Sequence, residues 1–354
     1  MKTIVVGSGM IGASVAYHLA VRGAEVTVVT GDRPGGIATA ASFAWINAAP
    51  GNSRPYFEFR LKAILDWHRL QHDLNGSLEM NCNGSLWWEE DMESVEEKAQ
   101  ESTSWGYPMR IVSRAEARER EPSLRQHPDQ SVYSAIEGSV PPLQTARLLL
   151  NRAAASGAVI HTDTVLALTV DRGRATGVRT LSGIIKADKV VLAAGEASEA
   201  LSADVGVVLP MANLAGFLAQ SVPRPPLLRG IVLAPKVHMR QCVDGRIFVG
   251  WDFGGSEVPD DPHQEAEKLI GAARELLVDD DFCLEHFTLG VRPIPADGLP
   301  VIGPVSDLPG LYLAVMHSGI TLAPLVGRLS AEEIVGGHAL DVLEPYRLDR
   351  FTRQ

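Results

Sequence analysis

The first thirty residues constrain the fold more than any other part of the chain. A β-branched run at residues 3–6 leads directly into Gly7-Ser8-Gly9-Met10-Ile11-Gly12. Helical spacing then takes over through Ala13, Val15, Ala16, Leu19 and Ala20, Gly23 closes that helix, and Val26-Thr27-Val28-Val29 reads as a second strand. Strand, glycine turn, helix and strand at this spacing make a βαβ unit. Both apolar runs are unbroken, as in parallel strands buried on both faces. In Gly7-x-Gly9-x-x-Gly12 the first glycine permits the tight turn, the second lets the backbone approach a pyrophosphate, and the third lets helix and strand pack closely. The helix N-terminus adds free N–H groups and partial positive charge for the phosphates. A dinucleotide is the functional reading of this pattern; a merely structural glycine turn is the alternative.

The kind of dinucleotide stays open at this point. The second strand of such a unit usually ends in an acid that holds the ribose hydroxyls. Here that place belongs to Thr30, followed by Gly31-Asp32-Arg33. A lost acid beside an arginine suggests NADP. Alternatively the cofactor is FAD, with the Thr30 hydroxyl or Asp32 taking the ribose contact.

Residues 31–55 carry many small and polar residues without a period and read as a long loop over a site. A helix is predicted over 56–74, with Phe57, Leu61, Ile64, Leu65, Trp67 and Leu70 as its apolar stripe. Asn75-Gly76 and Asn83-Gly84 are turns, residues 89–97 are an acidic, solvated helix face, and Ser113-Arg114-Ala115-Glu116 resembles a capping box. A helix at 143–156 precedes apolar runs at 159–160, 165–168 and 175–178, which suggest a β-meander ending in the buried strand and turn Val190–Gly195. Residues 205–255 alternate like antiparallel strands, with Asp244-Gly245 as a hairpin turn; a helix follows at 261–277. Strand 311–315 leads into a helix from about Leu322 to Val335, with Pro324 early in it.

Composition excludes several classes. The chain has 354 residues, is 45% hydrophobic, and carries a formal net charge of −11, which argues against nucleic acid or an anionic membrane as partner. Cys82, Cys242 and Cys283 are odd in number and far apart, so no disulfide framework or cysteine zinc site is expected, and a reducing compartment fits. Met1–Val6 runs straight into a strand pattern, no later stretch is apolar for long enough to span a membrane, and a cytoplasmic location is expected. The ten histidines are scattered, and neither a metal-spaced cluster nor a serine-hydrolase or nucleotide-triphosphate loop is present.

Beyond the N-terminal fingerprint, three further stretches bear on the cofactor. They are Ala38-Thr39-Ala40-Ala41-Ser42-Phe43-Ala44-Trp45, then Thr164-Val165 with Val190–Gly195, and finally Gly290–Pro304 followed by His317–Pro324. In this order the whole chain resembles the D-amino-acid oxidase, glycine oxidase and sarcosine oxidase family of FAD-dependent oxidoreductases. The resemblance implies an α/β fold: a Rossmann-like FAD-binding domain of the glutathione-reductase type and a smaller α+β substrate domain with a mostly antiparallel sheet. On that reading residues 1–80, 140–204 and 286–354 form the discontinuous FAD-binding domain, and 81–139 and 205–285 the substrate-binding domain.

The resemblance also assigns residues. FAD would meet Gly7, Ser8, Gly9, Met10, Ile11 and Gly12, with Thr30 and Asp32 near its ribose. Ala38, Thr39, Ser42 and Ala44 belong to the small-residue loop beside the flavin ring, and Val165, Ala194 and Gly195 pass near the cofactor. His317, Ser318, Gly319, Ile320 and Thr321 would aim a helix N-terminus at the flavin pyrimidine. Arg292, in its Gly-x-Arg-Pro setting, would hold the substrate carboxylate bidentately; a salt bridge to Asp297 is its structural alternative. His238 and Arg240, two apart on one strand face, would shape the substrate cavity or lie on an outer face. Trp251 either covers the site or is a packed core tryptophan, and Trp45 and Asn47 are further wall candidates.

The chain departs from the family in several places. Thr30 replaces the acid, Met316 stands where many members have glycine, and Gly290 occupies the place of the flavin-linking cysteine, so FAD should be non-covalent. Phe248 falls near the place of the oxygen-activating lysine. The implied activity is hydride transfer from the C–N bond of an amino acid or N-substituted amino acid to flavin N5, giving an imine that hydrolyses to an oxo acid plus ammonia or amine. Oxygen or another acceptor takes the electrons. The alternative is an FAD-containing subunit of an amino-acid or opine-type dehydrogenase that needs a partner chain; a homo-oligomer is also compatible.

Overall fold

The computed structural model describes residues 1–251 and 259–352. The chain divides into two compact units: Met1–Ala40 with Pro142–Leu214 and Val291–Gln354, and Ala41–Pro141 with Ala215–Gly290. Residues 41–80 therefore group with the second unit.

The first unit is built on a six-stranded sheet in the order Val301–Pro304, Leu311–Val315, Lys189–Leu192, Lys2–Val6, Glu25–Thr30, Val159–Thr162. Its ladders are parallel except between the first two strands. Ile4, Val6, Val190 and Leu192 pack on Leu168, Ala175 and Val178 of a three-stranded antiparallel sheet, Val165–Asp171, Arg174–Thr180 and Ile184–Lys186. Helix Met10–Ala20 packs against helices Pro142–Ala155 and Gly319–Gly336. Ten of its eleven residues are buried, as expected for a helix apolar on nearly every face.

The predicted meander is only half right. The run at 159–160 is not part of it: strand Val159–Thr162 pairs in parallel with Glu25–Thr30. Helix Pro142–Ala155 comes just before it, and a helical crossover delivers a parallel strand. The C-terminal helix begins at Gly319, earlier than predicted, because Ser318 turns the chain with φ 56°. Pro324 consequently lies past the first turn, inside the helix, not at its favoured entry.

The second unit holds most of an eight-stranded sheet in the order Leu284–Pro295, Met211–Ser221, Ile247–Gly250, Val237–Gln241, Ile231–Ala234, Ser85–Trp87, Gln130–Ser134, Met109–Ser113. Helix Pro262–Leu276 covers one face through Ala266, Leu269, Ile270 and Ala273, which meet Val237, Met239, Ile247 and Val249. Strand alternation puts His238, Arg240 and Phe248 on the other face. The Asp244-Gly245 hairpin forms as predicted, with Gly245 at φ 88°. Positions 252–255 of the predicted antiparallel run lie outside the described residues.

Residues 31–55 are not one loop. They contain the short helix Ile37–Ala40, the strand Trp45–Ile46 and the start of helix Arg54–Asp73. That helix buries Phe57, Ile64, Trp67 and Leu70, but Leu65 is 63% exposed, one step off the stripe. Asp91 caps helix Met92–Ser104 through the Ser94 N–H, which leaves much of the acidic face in solvent as expected. Ser113 caps helix Arg114–Arg120, while the Glu116 carboxylate is held by Arg110 and Arg120.

Candidate active site

In the first unit the glycine turn separates into two kinds of glycine. A Cβ on Gly7, at φ 102°, would lie 2.4 Å from the Ala193 carbonyl oxygen, and one on Gly12 would lie 2.1 Å from the Gly7 oxygen. Those two are demanded by the protein's own packing. Gly9 has ordinary extended backbone, φ −62° and ψ 178°, and its Cβ would meet only the Thr39 hydroxyl at 3.3 Å and the Gly36 Cα at 3.9 Å. Nothing in the fold forbids a side chain there, so the space above Gly9 is free for a ligand. A Cβ at Gly195, φ 60°, would likewise meet nothing.

Around this space the polar groups are organised. The Met10 N–H donates to Thr39 Oγ1 at 3.0 Å, the Gly35 N–H donates to Ser8 Oγ at 3.1 Å, and the Ser8 and Thr30 hydroxyls bond to each other. Thr30 is buried and its hydroxyl is thereby engaged within the unit; Asp32 is exposed. Gly36, at φ 82°, lies close enough that its Cβ would fall 2.6 Å from the Gly9 Cα. Sequence reasoning missed the Gly35-Gly36 pair, although adjacent glycines are a turn signal.

A second helix N-terminus joins the first. A Cβ on Gly319 would touch Ile11 Cγ1 at 3.4 Å, so the starts of helices Met10–Ala20 and Gly319–Gly336 are neighbours. Further along, Ser14 Oγ donates to the Ala323 carbonyl at 2.7 Å. His317 Nδ1 and Ser318 Oγ lie 3.1 Å apart in the entry turn, with Gly319, Ile320 and Thr321 in the first turn of the helix. Two adjacent N-termini give the unit two sources of partial positive charge and free N–H groups at one place. Ala38 and Thr39 are in the short helix Ile37–Ala40, and Val165 opens its strand half-buried. An open glycine cradle flanked by helix N-termini fits the diphosphate and ring system of FAD.

Arg292 is half-buried in strand Leu284–Pro295. Asp297, its structural alternative as a partner, accepts from Arg350 at both oxygens, at 2.7 and 2.9 Å.

In the second unit Arg240 is only 2% exposed. Its guanidinium stacks 4.6 Å from the Phe248 ring centre and 5.6 Å from that of Phe43; Nε donates to the Phe43 carbonyl, and Nη1 lies 3.0 Å from the Cys242 sulfur. Burial pushes its pKa down, and among the described residues no carboxylate forms an ion pair with it. The outer-face alternative for Arg240 is therefore wrong: the side chain is enclosed. His238 lies 5.2 Å from Trp251, which is 43% exposed, and burial holds the imidazole down to about 4, so it is neutral near pH 7. Ala44 takes φ 58°, and Ser42 Oγ accepts from its N–H at 3.0 Å.

Trp45 and Asn47 are anchored by groups the sequence did not flag. Trp45 Nε1 donates to Glu137 Oε2 at 2.7 Å, and the Arg60 Nε donates to the Asn47 carbonyl at 3.1 Å. A lone acid and a helix arginine among many carry no recognisable pattern.

A parallel-sheet unit with a glycine cradle, interrupted by a unit with a mostly antiparallel sheet, defines a two-unit dinucleotide flavoprotein. The model of the FAD dependent oxidoreductase family matches residues 2–333, and the chain belongs to that family. It is similar to glycine oxidase of Pseudomonas aeruginosa, 30% identical over 98% of each chain. It is also similar to one of the opine oxidase subunits of Rhizobium meliloti, 25% identical over 99% of this chain and 97% of that one. The solved glycine oxidase of Geobacillus kaustophilus has the same fold, with a TM-score of 0.87, 24% identity and 99% coverage of both chains. The chain is thus an FAD-dependent oxidoreductase of the amino-acid oxidase family, its FAD held non-covalently, and the NADP reading falls away. Among the described residues no helix is long and apolar enough to cross a membrane.

Proposed function

We propose that the protein oxidises the C–N bond of an amino acid or N-substituted amino acid to an imine, which water hydrolyses to an oxo acid plus ammonia or an amine. The first unit would hold the cofactor and supply Arg292, and the second would supply wall residues. FAD, when bound, accepts the hydride. The chain's own task is orientation: Arg292 would grip the substrate carboxylate through two parallel hydrogen bonds and fix the Cα–H. What carries this reading is the likeness of the chain over its whole length to a glycine oxidase, with Arg292 half-buried in the Gly-x-Arg-Pro setting where the resemblance places a carboxylate-binding arginine. His238, neutral through burial, and Trp251 are proposed as wall residues that would not repel a protonated amine. Asp32, exposed while Thr30 is engaged, is proposed to accept from the ribose hydroxyls.

The similarity to an opine oxidase subunit favours a second reading, in which the chain works with a partner chain that passes electrons onward. An anaerobic screen of amino acids against the purified holoprotein decides between them. Bleaching of the flavin by the chain alone supports the first reading. A stable yellow protein that no amino acid reduces supports the second. Arg292→Met should lower kcat/KM about 100-fold, mainly through KM, since removing one partner of a desolvated charge pair costs roughly 2–5 kcal/mol. Unchanged turnover of carboxylate substrates would remove Arg292 from this role.

A further inference from the structure

The segment Phe43–Ala48 is held at every second residue by a buried polar group of the same unit. Arg240 takes the Phe43 carbonyl, Glu137 takes the Trp45 indole, and Arg60 takes both the carbonyl and side-chain oxygen of Asn47. The Ala48 N–H donates to Tyr107 Oη at 3.2 Å, and that hydroxyl in turn donates to Glu137 Oε1 at 2.8 Å. Glu137 thus grips the segment twice, directly through Trp45 and at one remove through Ala48. The backbone reinforces this, because Trp45 pairs with Ser139 and Ile46 with Gly138 immediately after Glu137.

We propose that Glu137 is a positioning residue for the substrate-oxidising reaction: its two carboxylate oxygens set the pose of Trp45 and of the backbone to Ala48, the stretch that continues the loop, residues 38–45, which the family resemblance puts beside the flavin ring. The proposal rests on the function proposed above only for what lies against that stretch. Donors and acceptors decide how the grip behaves. Glu137 has no exposed surface, and each of its oxygens already accepts from a separate donor. An ionised carboxyl accepts both bonds through charged oxygens, whereas in a protonated one the hydroxyl oxygen has become a donor and accepts more weakly, so the bond at that oxygen lengthens or reverses. The groups facing it are the Trp45 indole, the Tyr107 hydroxyl, the Ser85 hydroxyl from strand Ser85–Trp87, and the charge of Arg60 from helix Arg54–Asp73. Their hydrogen bonds and positive charge favour the anion, but burial outweighs them and raises the carboxyl to about 7. The bonding pattern around Trp45 therefore changes within the range where such enzymes operate.

Two probes that need no substrate test this on the FAD-loaded protein. One is the indole N–H resonance of Trp45, assigned by its loss in Trp45→Phe. The other is the position of the flavin absorption band. Both should move together between about pH 5.5 and 8.5, with one midpoint near that of the carboxyl. In Glu137→Gln both should stay fixed, Glu137→Asp should bring a titration back, and Trp45→Phe should abolish the flavin shift. A Trp45 resonance that does not titrate in the wild type and holds the same position in Glu137→Gln and in Glu137→Asp overturns the role of Glu137; the shorter acid keeps the test open even if Glu137→Gln fails to fold. An indole that titrates while the flavin band stays still overturns the link to the cofactor. Neither readout depends on whether an amino acid reduces the flavin, so failure of the proposed function shows separately as an unbleached holoprotein.

Discussion

Gly9 and Gly12 are three residues apart in one motif, yet their substitution by alanine should have opposite signatures. At Gly12 a methyl group would fall 2.1 Å from the Gly7 oxygen and 2.9 Å from its carbonyl carbon, both backbone atoms. Helix Met10–Ala20 cannot retreat, since it is packed against helices Pro142–Ala155 and Gly319–Gly336 and buried along nearly its whole length. Overpacking of this kind costs about 1–3 kcal/mol, and a clash with fixed backbone belongs at the upper end. With an unfolding entropy of about 2.1 cal/mol/K per residue, that lowers the apoprotein Tm by about 4 °C. At Gly9 the backbone is already one that alanine adopts, and the nearest atom is a side-chain hydroxyl at 3.3 Å. Gly9→Ala should leave the apoprotein Tm within about 1 °C, because the lost freedom of the unfolded chain offsets a small adjustment of Thr39. Its effect should fall on the cofactor: a methyl group where the diphosphate approaches should weaken FAD binding by about 100-fold, and valine should prevent retention. Thermal unfolding of both apoproteins, with titration of FAD followed by quenching of its fluorescence, separates the two cases. If Gly9→Ala destabilises the apoprotein as much as Gly12→Ala, or still purifies fully loaded, Gly9 is a packing glycine and the cofactor's diphosphate does not lie above it.

Two further outcomes are expected. Acid precipitation of the holoprotein should leave the pellet colourless with all FAD in the supernatant; a yellow pellet would show a covalent bond. Glu137 should also imprint a slope on stability. Its carboxyl is raised in the folded state, from 4.5 to about 7, so between those values the native protein holds a proton that the unfolded chain has released. Stability should therefore fall as pH rises through that window, by about 3 kcal/mol, and this contribution should be flat above it. Urea midpoints for wild type and Glu137→Gln check this: the difference between them should change with pH only inside the window, and a constant difference would contradict it.

Local signals carried the first unit well. Its fingerprint, its second strand and the run Val190–Gly195 all read correctly, because a buried parallel strand writes its environment into consecutive apolar residues. The misplaced strand Val159–Thr162 shows the limit: its four residues have no periodicity that distinguishes a parallel neighbour from an antiparallel one, and only the preceding helix decides. Leu65 shows another, since an apolar residue one position off a stripe is not buried by its chemistry alone. In the second unit Arg240 was visible as a strand residue, but its partner Phe43 lies 197 positions away in sequence. Glu137 was invisible for the same reason. Its importance comes from donors on Trp45 and Tyr107, and no spacing rule connects three residues that the fold brings together from separate elements.

Both units hold buried charge, and not all of it is met by an ion pair. In the first, the Arg347 guanidinium is paired with the Glu333 carboxylate, which also accepts from the Tyr312 hydroxyl at 2.8 Å. Burying two opposite ions together, with their remaining valences satisfied, is how a fold stabilises a corner without leaving a net charge inside. In the second, Arg224 pairs with Asp279 in the same way, the Arg60 Nε donates to the Asn47 carbonyl while its charge faces Glu137, and Arg240 has no ion-paired carboxylate among the described residues. A carbonyl offers a cation only a dipole, so the setting of Arg240 is less favourable than an ion pair of the same burial. Mere stability would have been better met by apolar side chains at such positions. What Arg60, Arg240 and Glu137 have in common is their target, the six residues from Phe43 to Ala48. A segment fixed by three separate buried polar groups is held more rigidly than its own short strand Trp45–Ile46 could hold it, which is the rigidity that the proposed positioning role of Glu137 requires.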